Sequence, residues 1–301
     1  MNAAGSEELR AILALVPSDF ADPGADYLAV RQMLGPFHGH PVPGHISVEE
    51  TELGGVRAAW YDDRRTARRD RVAFHCHGGG LVACPLEAYH FYGAMLVEQL
   101  GVRVVLPDYR LAPEHVFPAA HDDCLNAYRG LLESGVDPGR VVVMGDSCGG
   151  GLALSTLIAA RDAGLPMPAC FVSVSGWFDL SVARPAETGV ADPFLSAEWV
   201  RNRGRDYTAN RVALEDPRVS PAFADLSGLP PLYLPVGQHD TVREGVLDLA
   251  ASALRSGVAV TLESWPGVGH GWQGLVGAGV PEATAAWRRT AQFIDALTQA
   301  V

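Results

Sequence analysis

The chain has 301 residues, 48% of them hydrophobic, which suits one large α/β domain, alone or with an insertion, and argues against global disorder. Its net charge is −12 and all 23 basic residues are arginine, so nucleic acid and anionic membranes are disfavoured as main partners. Five cysteines without zinc-type spacing, no basic-then-apolar leader and no apolar run of membrane-spanning length point to a cytoplasmic protein with no metal and no stable membrane association.

In chain order, residues 7–16 read as a helix, and 17–45 are rich in proline, glycine and histidine without a clear period. Residues 45–53 and 55–61 alternate as two strands, with a hairpin across Gly54-Gly55. The basic cluster Arg64 to Arg71 then reads as a solvated loop. Strands are predicted near 71–76, 102–106, 140–145, 169–175, 231–237 and 258–264. Helical patterns fill 86–100, 118–134, 147–163, 241–256 and 281–299. This alternation implies an α/β fold, a mixed but mostly parallel sheet of about eight strands with helices on both faces. The rhythm breaks between Gly176 and Pro221, so 181–215 reads as an insertion over the C-terminal edge of the sheet. The expected division is one domain with a helical cap from about 1–45 and 181–215 over a core of 46–180 and 216–301.

Three segments at predicted strand ends carry chemistry. Gly145-Asp146-Ser147-Cys148-Gly149 follows the apolar run Val141-Val142-Val143-Met144 and opens a helix. A strand turning sharply into a helix presents the central serine at the tip of a strained bend. A serine hydroxyl is a poor nucleophile and needs a base that is itself oriented by a carboxylate. Asp240 and His270 end the next two strand segments in the order such a triad requires, on the same sheet edge as Ser147. His239 should point away from Asp240, and His115 and His121 lie beside a helix start, where they read as packing or capping groups. His77-Gly78-Gly79-Gly80 follows the strand ending at Cys76, and its glycines let backbone amides turn inward. The amides of Gly79, Gly80 and Cys148 are the expected oxyanion donors. Leu81, Trp177, Phe178, Phe194 and Trp272 are the expected walls of a substrate pocket.

These motifs resemble the hormone-sensitive-lipase branch of the α/β hydrolases, the bacterial type IV esterases. The resemblance rests on His77-Gly78-Gly79-Gly80 and Gly145-Asp146-Ser147-Cys148-Gly149-Gly150. It extends through Asp108-Tyr109-Arg110-Leu111-Ala112-Pro113-Glu114-His115 and Asp216-Pro217-Arg218-Val219-Ser220-Pro221, covering most of 70–275. It implies an α/β-hydrolase fold, a cap, and hydrolysis of short acyl esters without a cofactor; by analogy it allows a homodimer through the last strand. Similar proteins include lactone hydrolases and acetylhydrolases of secondary metabolism. Two departures stand out: Cys148 replaces the usual alanine, and Leu81 stands where an aromatic is common. Within the loop from Asp108 to His115, Arg110 and Glu114 are expected to brace the glycine segment.

The leading function is therefore a serine carboxylic-ester hydrolase acting on a small-molecule ester. A lyase or cyclase that reuses the oxyanion hole is the rival enzyme reading, and Ser147 disfavours it. A ligand-binding protein on a hydrolase frame is the rival from another class, and His270 disfavours it.

Overall fold

The apolar runs form one eight-stranded sheet in a computed structural model that describes residues 5–17, 20, 22–38, 40–65, 68–184, 186 and 189–298. The strands are β1 (Ser47–Leu53), β2 (Val56–Asp62), β3 (Arg68–Cys76), β4 (Val102–Pro107), β5 (Val141–Asp146), β6 (Cys170–Val174), β7 (Leu232–Gly237) and β8 (Val260–Trp265). The helices are α1 (Glu7–Leu13), α2 (Tyr27–His38), α3 (His90–Leu100), α4 (Ala119–Glu133), α5 (Cys148–Asp162), α6 (Ala197–Thr208), α7 (Arg243–Arg255) and α8 (Pro281–Thr298). In space the strands run β1-β2-β4-β3-β5-β6-β7-β8. The pairs β1/β2 and β2/β4 are antiparallel, and the rest are parallel. The hairpin turns at Gly54-Gly55, where Leu53 faces Val56.

Parallel strands between two helical layers are buried on both faces, which is why β5, β6 and β7 read as unbroken apolar runs. Val141, Val142, Val143 and Met144 expose no surface, and each such side chain contributes about 1.5–3 kcal/mol on burial. Every parallel strand points its C-terminal end to one edge, where the segments after β3, β5, β6, β7 and β8 gather. Among the described residues no helix is long and apolar enough to cross a membrane.

Helix α2 lies in the stretch where no period was evident. Gly35 and Pro36 sit within it, so local propensity is poor and tertiary contacts hold it. Arg31 donates to the carbonyls of Val82 (2.7 Å) and Ala112 (3.2 Å) and pairs with Glu114 (2.7 Å). Helix α1 is fixed elsewhere: Ser6 caps it and meets Glu282 of α8 through its N–H (2.7 Å) and hydroxyl (2.8 Å). Leu9 packs there with Trp265, Val268 and Trp272.

The basic cluster needs correction at its end. Arg65 pairs with Asp63 at the surface, but β3 begins at Arg68, and Arg71 is buried against Asp295 of α8 at 2.7 Å. An inward position on a strand, matched by a helix carboxylate, outweighs the solvation that a charge run suggests. Thr66 and Ala67 lie outside the described residues.

Candidate active site

Ser147 sits between β5 and α5 with φ 54° and ψ −129°, a left-handed backbone that costs on the order of 1–3 kcal/mol for a non-glycine residue. Three main-chain hydrogen bonds hold it there. Ser147 N–H donates to Val174 O (2.9 Å), and Ser147 O accepts from Gly150 (3.0 Å) and Trp177 (2.9 Å). The flanking glycines are required by close approach. A Cβ at Gly145 would strike the carbonyl oxygen of Gly149, and one at Gly149 would strike that of Cys76 in β3.

The serine Oγ lies 2.9 Å from His270 Nε2. On the other side of the ring, Nδ1 lies 3.1 and 3.2 Å from the two carboxylate oxygens of Asp240. A carboxylate only accepts, so Nδ1 carries the proton and Nε2 is left to accept from the serine hydroxyl. Asp240 is wholly buried and His270 nearly so. Burial alone would lower the imidazole pKa. The charge and hydrogen bond of Asp240, with the charges of Asp192 and Asp146, outweigh it and raise the pKa above the ordinary value.

The glycine segment after β3 is clamped from beneath. Asp146 accepts from His75 Nε2 (2.9 Å), the Gly78 N–H (2.9 Å) and the Tyr89 hydroxyl (2.6 Å). Burial opposes its charge, but these donors, His75 first, hold its pKa below the usual carboxylate range. His77 stacks on Tyr109 with ring centres 4.1 Å apart, and its Nδ1 meets the Gly78 carbonyl at 2.8 Å. Arg110 pairs with Asp123 of α4 at 2.8 Å, while Glu114 holds Arg31 of α2. Gly79 and Gly80 then border the same cavity as Ser147. Cys148 is the first residue of α5, so its N–H is one of the donors a helix leaves without an intrahelical partner. Its thiol does more than fill space. The sulfur accepts the Leu81 N–H at 3.2 Å, joining the helix start to the glycine segment, and burial pushes its pKa up to about 12.

Above Ser147 lies a cavity of about 590 Å³, walled mainly by apolar side chains including Met33, Phe91, Phe194, Leu195, Trp199 and Leu275. Of the five expected wall residues, Phe194 lines this cavity and four do not. Leu81 and Trp177 face a separate pocket of about 10 Å³ beside Cys148. Phe178 is fully buried against Phe171, with ring centres 6.2 Å apart. Trp272 packs on Trp265 at 6.1 Å in the cluster that holds Leu9. Trp177 and Phe178 follow the Ser175-Gly176 turn after β6, and the bond from Trp177 N–H to Ser147 O turns that segment into the core. The cavity wall comes instead from α2, from α3, from the stretch around the start of α6 and from the segment 271–278 after His270.

The sequence profile of the family with the alpha/beta hydrolase fold matches residues 73–274. The chain belongs to this family. It is similar to an acetyl-hydrolase of Streptomyces hygroscopicus, 38% identical over 226 residues that cover 73% of each chain. It is also similar to an esterase of Acinetobacter venetianus, 29% identical over 84% of this chain and 83% of the relative. Among solved structures, an esterase from the bacterial hormone-sensitive lipase family superposes with a TM-score of 0.90 at 33% identity, covering 98% of this chain and 100% of that one. This α/β hydrolase is thus of the carboxylesterase type, in the hormone-sensitive-lipase branch.

Several groups at the hydrolase site escaped sequence reasoning. Ser175, after β6, accepts the Gly271 N–H at 3.0 Å and donates to Gln273 Oε1 at 3.0 Å, tying the His270 loop to the end of β6, two strands away in the sheet. Asp192, between β6 and α6, accepts the backbone N–H of His270 at 3.1 Å. Neither stands at a recognisable spacing from Ser147, and the strand-end rule does not reach Asp192, which follows no strand directly.

Proposed function

We propose that the protein hydrolyses compact, neutral carboxylic esters through an acyl-enzyme on Ser147. The observation that carries this reading is the unbroken hydrogen-bonded chain from Ser147 Oγ through His270 to buried Asp240, at the floor of an apolar cavity. As Oγ attacks the acyl carbon, its proton passes to His270 Nε2, and Asp240 holds the Nδ1–H of the imidazolium. The amides of Gly79, Gly80 and Cys148 receive the oxyanion. Collapse expels the alcohol, which takes the proton from His270 and leaves the acyl group on Ser147. Water then gives a proton to His270 and attacks the acyl carbon. The second collapse releases the carboxylic acid, and the proton returns to Ser147 Oγ.

The apolar wall favours uncharged substrates, and the similarity to an acetyl-hydrolase supports a small acyl group. A lactone or an acetylated metabolite suits the same site. The five free cysteines fit a reducing, cytoplasmic setting. Hydrolysis of p-nitrophenyl acetate, butyrate, octanoate and laurate by wild type and Ser147→Ala tests the reading. We expect rates to peak at the short esters and to fall at least about 10³-fold in the variant. Wild-type turnover by Ser147→Ala would overturn the assignment.

A further inference from the structure

One carboxyl beside the triad has no part in the steps above. Asp192 lies between β6 and α6, four residues before the Ser196 that caps α6, yet its side chain is turned toward the loops after β7 and β8. Oδ2 accepts two main-chain N–H groups, from Thr241 at 2.9 Å and from His270 at 3.1 Å, and Oδ1 accepts from Phe194 at 2.9 Å. Thr241 directly follows Asp240. A single oxygen therefore holds the main chain of the proposed base and of the residue next to the carboxylate that orients it. Thr241 Oγ1 adds a second tie to the same segment, donating to Leu195 O at 2.9 Å. The approach is close on the other side too: a Cβ at Gly269 would stand 3.0 Å from Asp192 Oδ1.

We infer that Asp192 is a positioning residue for the Ser147–His270–Asp240 relay: it fixes the two loops that carry Asp240 and His270, and its negative charge supports the imidazolium on His270. This rests on the triad reading above. The titratable groups that bear on Asp192 are Asp240 and His270, and those that bear on His270 are Asp240, Asp192 and Asp146. Burial, and after it the charge of Asp240, pushes the Asp192 carboxyl up to about 7. Because Phe194 lines the cavity two residues further on, the same carboxylate also links the substrate wall to the reacting groups.

The test is kinetic, on p-nitrophenyl acetate, with Asp192→Asn and Asp192→Glu beside wild type and Ser147→Ala. The amide removes a negative charge that favours the imidazolium. His270 then loses its proton at lower pH, and the acid limb of kcat/KM moves to lower pH. We expect Asp192→Asn to lower kcat roughly 10- to 100-fold through misalignment, with KM within about twofold and the limb displaced. Asp192→Glu keeps the charge but moves the oxygens, so kcat falls while the limb stays in place. A folded Asp192→Asn with wild-type kcat and an unmoved limb overturns the inference. Should that variant not fold, Asp192→Glu decides: lowered kcat at unchanged KM supports the positioning role, and wild-type kcat overturns it. An inactive Ser147→Ala beside unaffected Asp192 variants defeats this inference alone, whereas an active Ser147→Ala defeats the triad reading and the inference with it.

Discussion

Beneath Ser147 the polypeptide itself fixes the site, whereas above it the wall is made of side chains from segments that belong to no strand. The floor consists of a left-handed serine held by three main-chain bonds, glycines with no room for a Cβ, and a carboxylate, Asp146, with three donors. The roof consists of α2, held by Arg31, and of the segment before α6, where Phe194 meets Phe20 of the N-terminal stretch edge to face at 5.8 Å. A floor of this kind tolerates almost no change of shape. A roof of this kind exchanges one apolar side chain for another with a change of preference only. On the proposed mechanism, chemistry and selectivity are carried by different parts of the chain, and Asp192 is where the two touch.

Substitution at the floor should give the largest effect. In Gly149→Ala the new methyl meets the carbonyl groups of Cys76, whose carbon would lie 2.7 Å away, and of His77, and both partners are backbone. We expect a loss of roughly 1–3 kcal/mol in denaturant unfolding and near-complete loss of esterase turnover. A stable, fully active Gly149→Ala would show that the elbow has slack. A smaller effect is expected at the roof. Phe194→Ala enlarges the cavity without touching the triad, so turnover of p-nitrophenyl acetate should stay within about threefold, while bulkier esters gain in relative kcat/KM. A fall on the acetate as deep as that of Ser147→Ala would erase the distinction between floor and roof.

The same division explains what was legible in the sequence. Strands β4 to β7 announce themselves because burial on both faces demands apolar runs, and the C-terminal ends of β3, β5, β7 and β8 lead to Gly79, Ser147, Asp240 and His270. A nucleophile elbow needs small residues at fixed spacing, so it leaves a mark that survives without coordinates. The roof leaves no such mark. Helix α2 contains Gly35 and Pro36 and owes its place to Arg31, a contact across 51 residues to Val82. Aromatic character alone did not say which rings face the cavity: Trp177 and Trp272 are as aromatic as Phe194, yet both are core. Asp192 bonds through main-chain N–H groups, which every residue but proline supplies, so no partner residue type betrays it. The bond that Cys148 Sγ accepts from Leu81 N–H depends on a register between α5 and the glycine segment that only the fold sets.

The central claim is that Ser147 is the one activated hydroxyl of the site, made so by His270 and Asp240. The most direct measurement is intact mass and peptide mapping after treatment with diethyl p-nitrophenyl phosphate. We predict one diethylphosphoryl group per chain, on the peptide that contains Ser147, with esterase activity lost in step with labelling. Retained activity in an unlabelled chain, or full inactivation with the group on another residue, would contradict it.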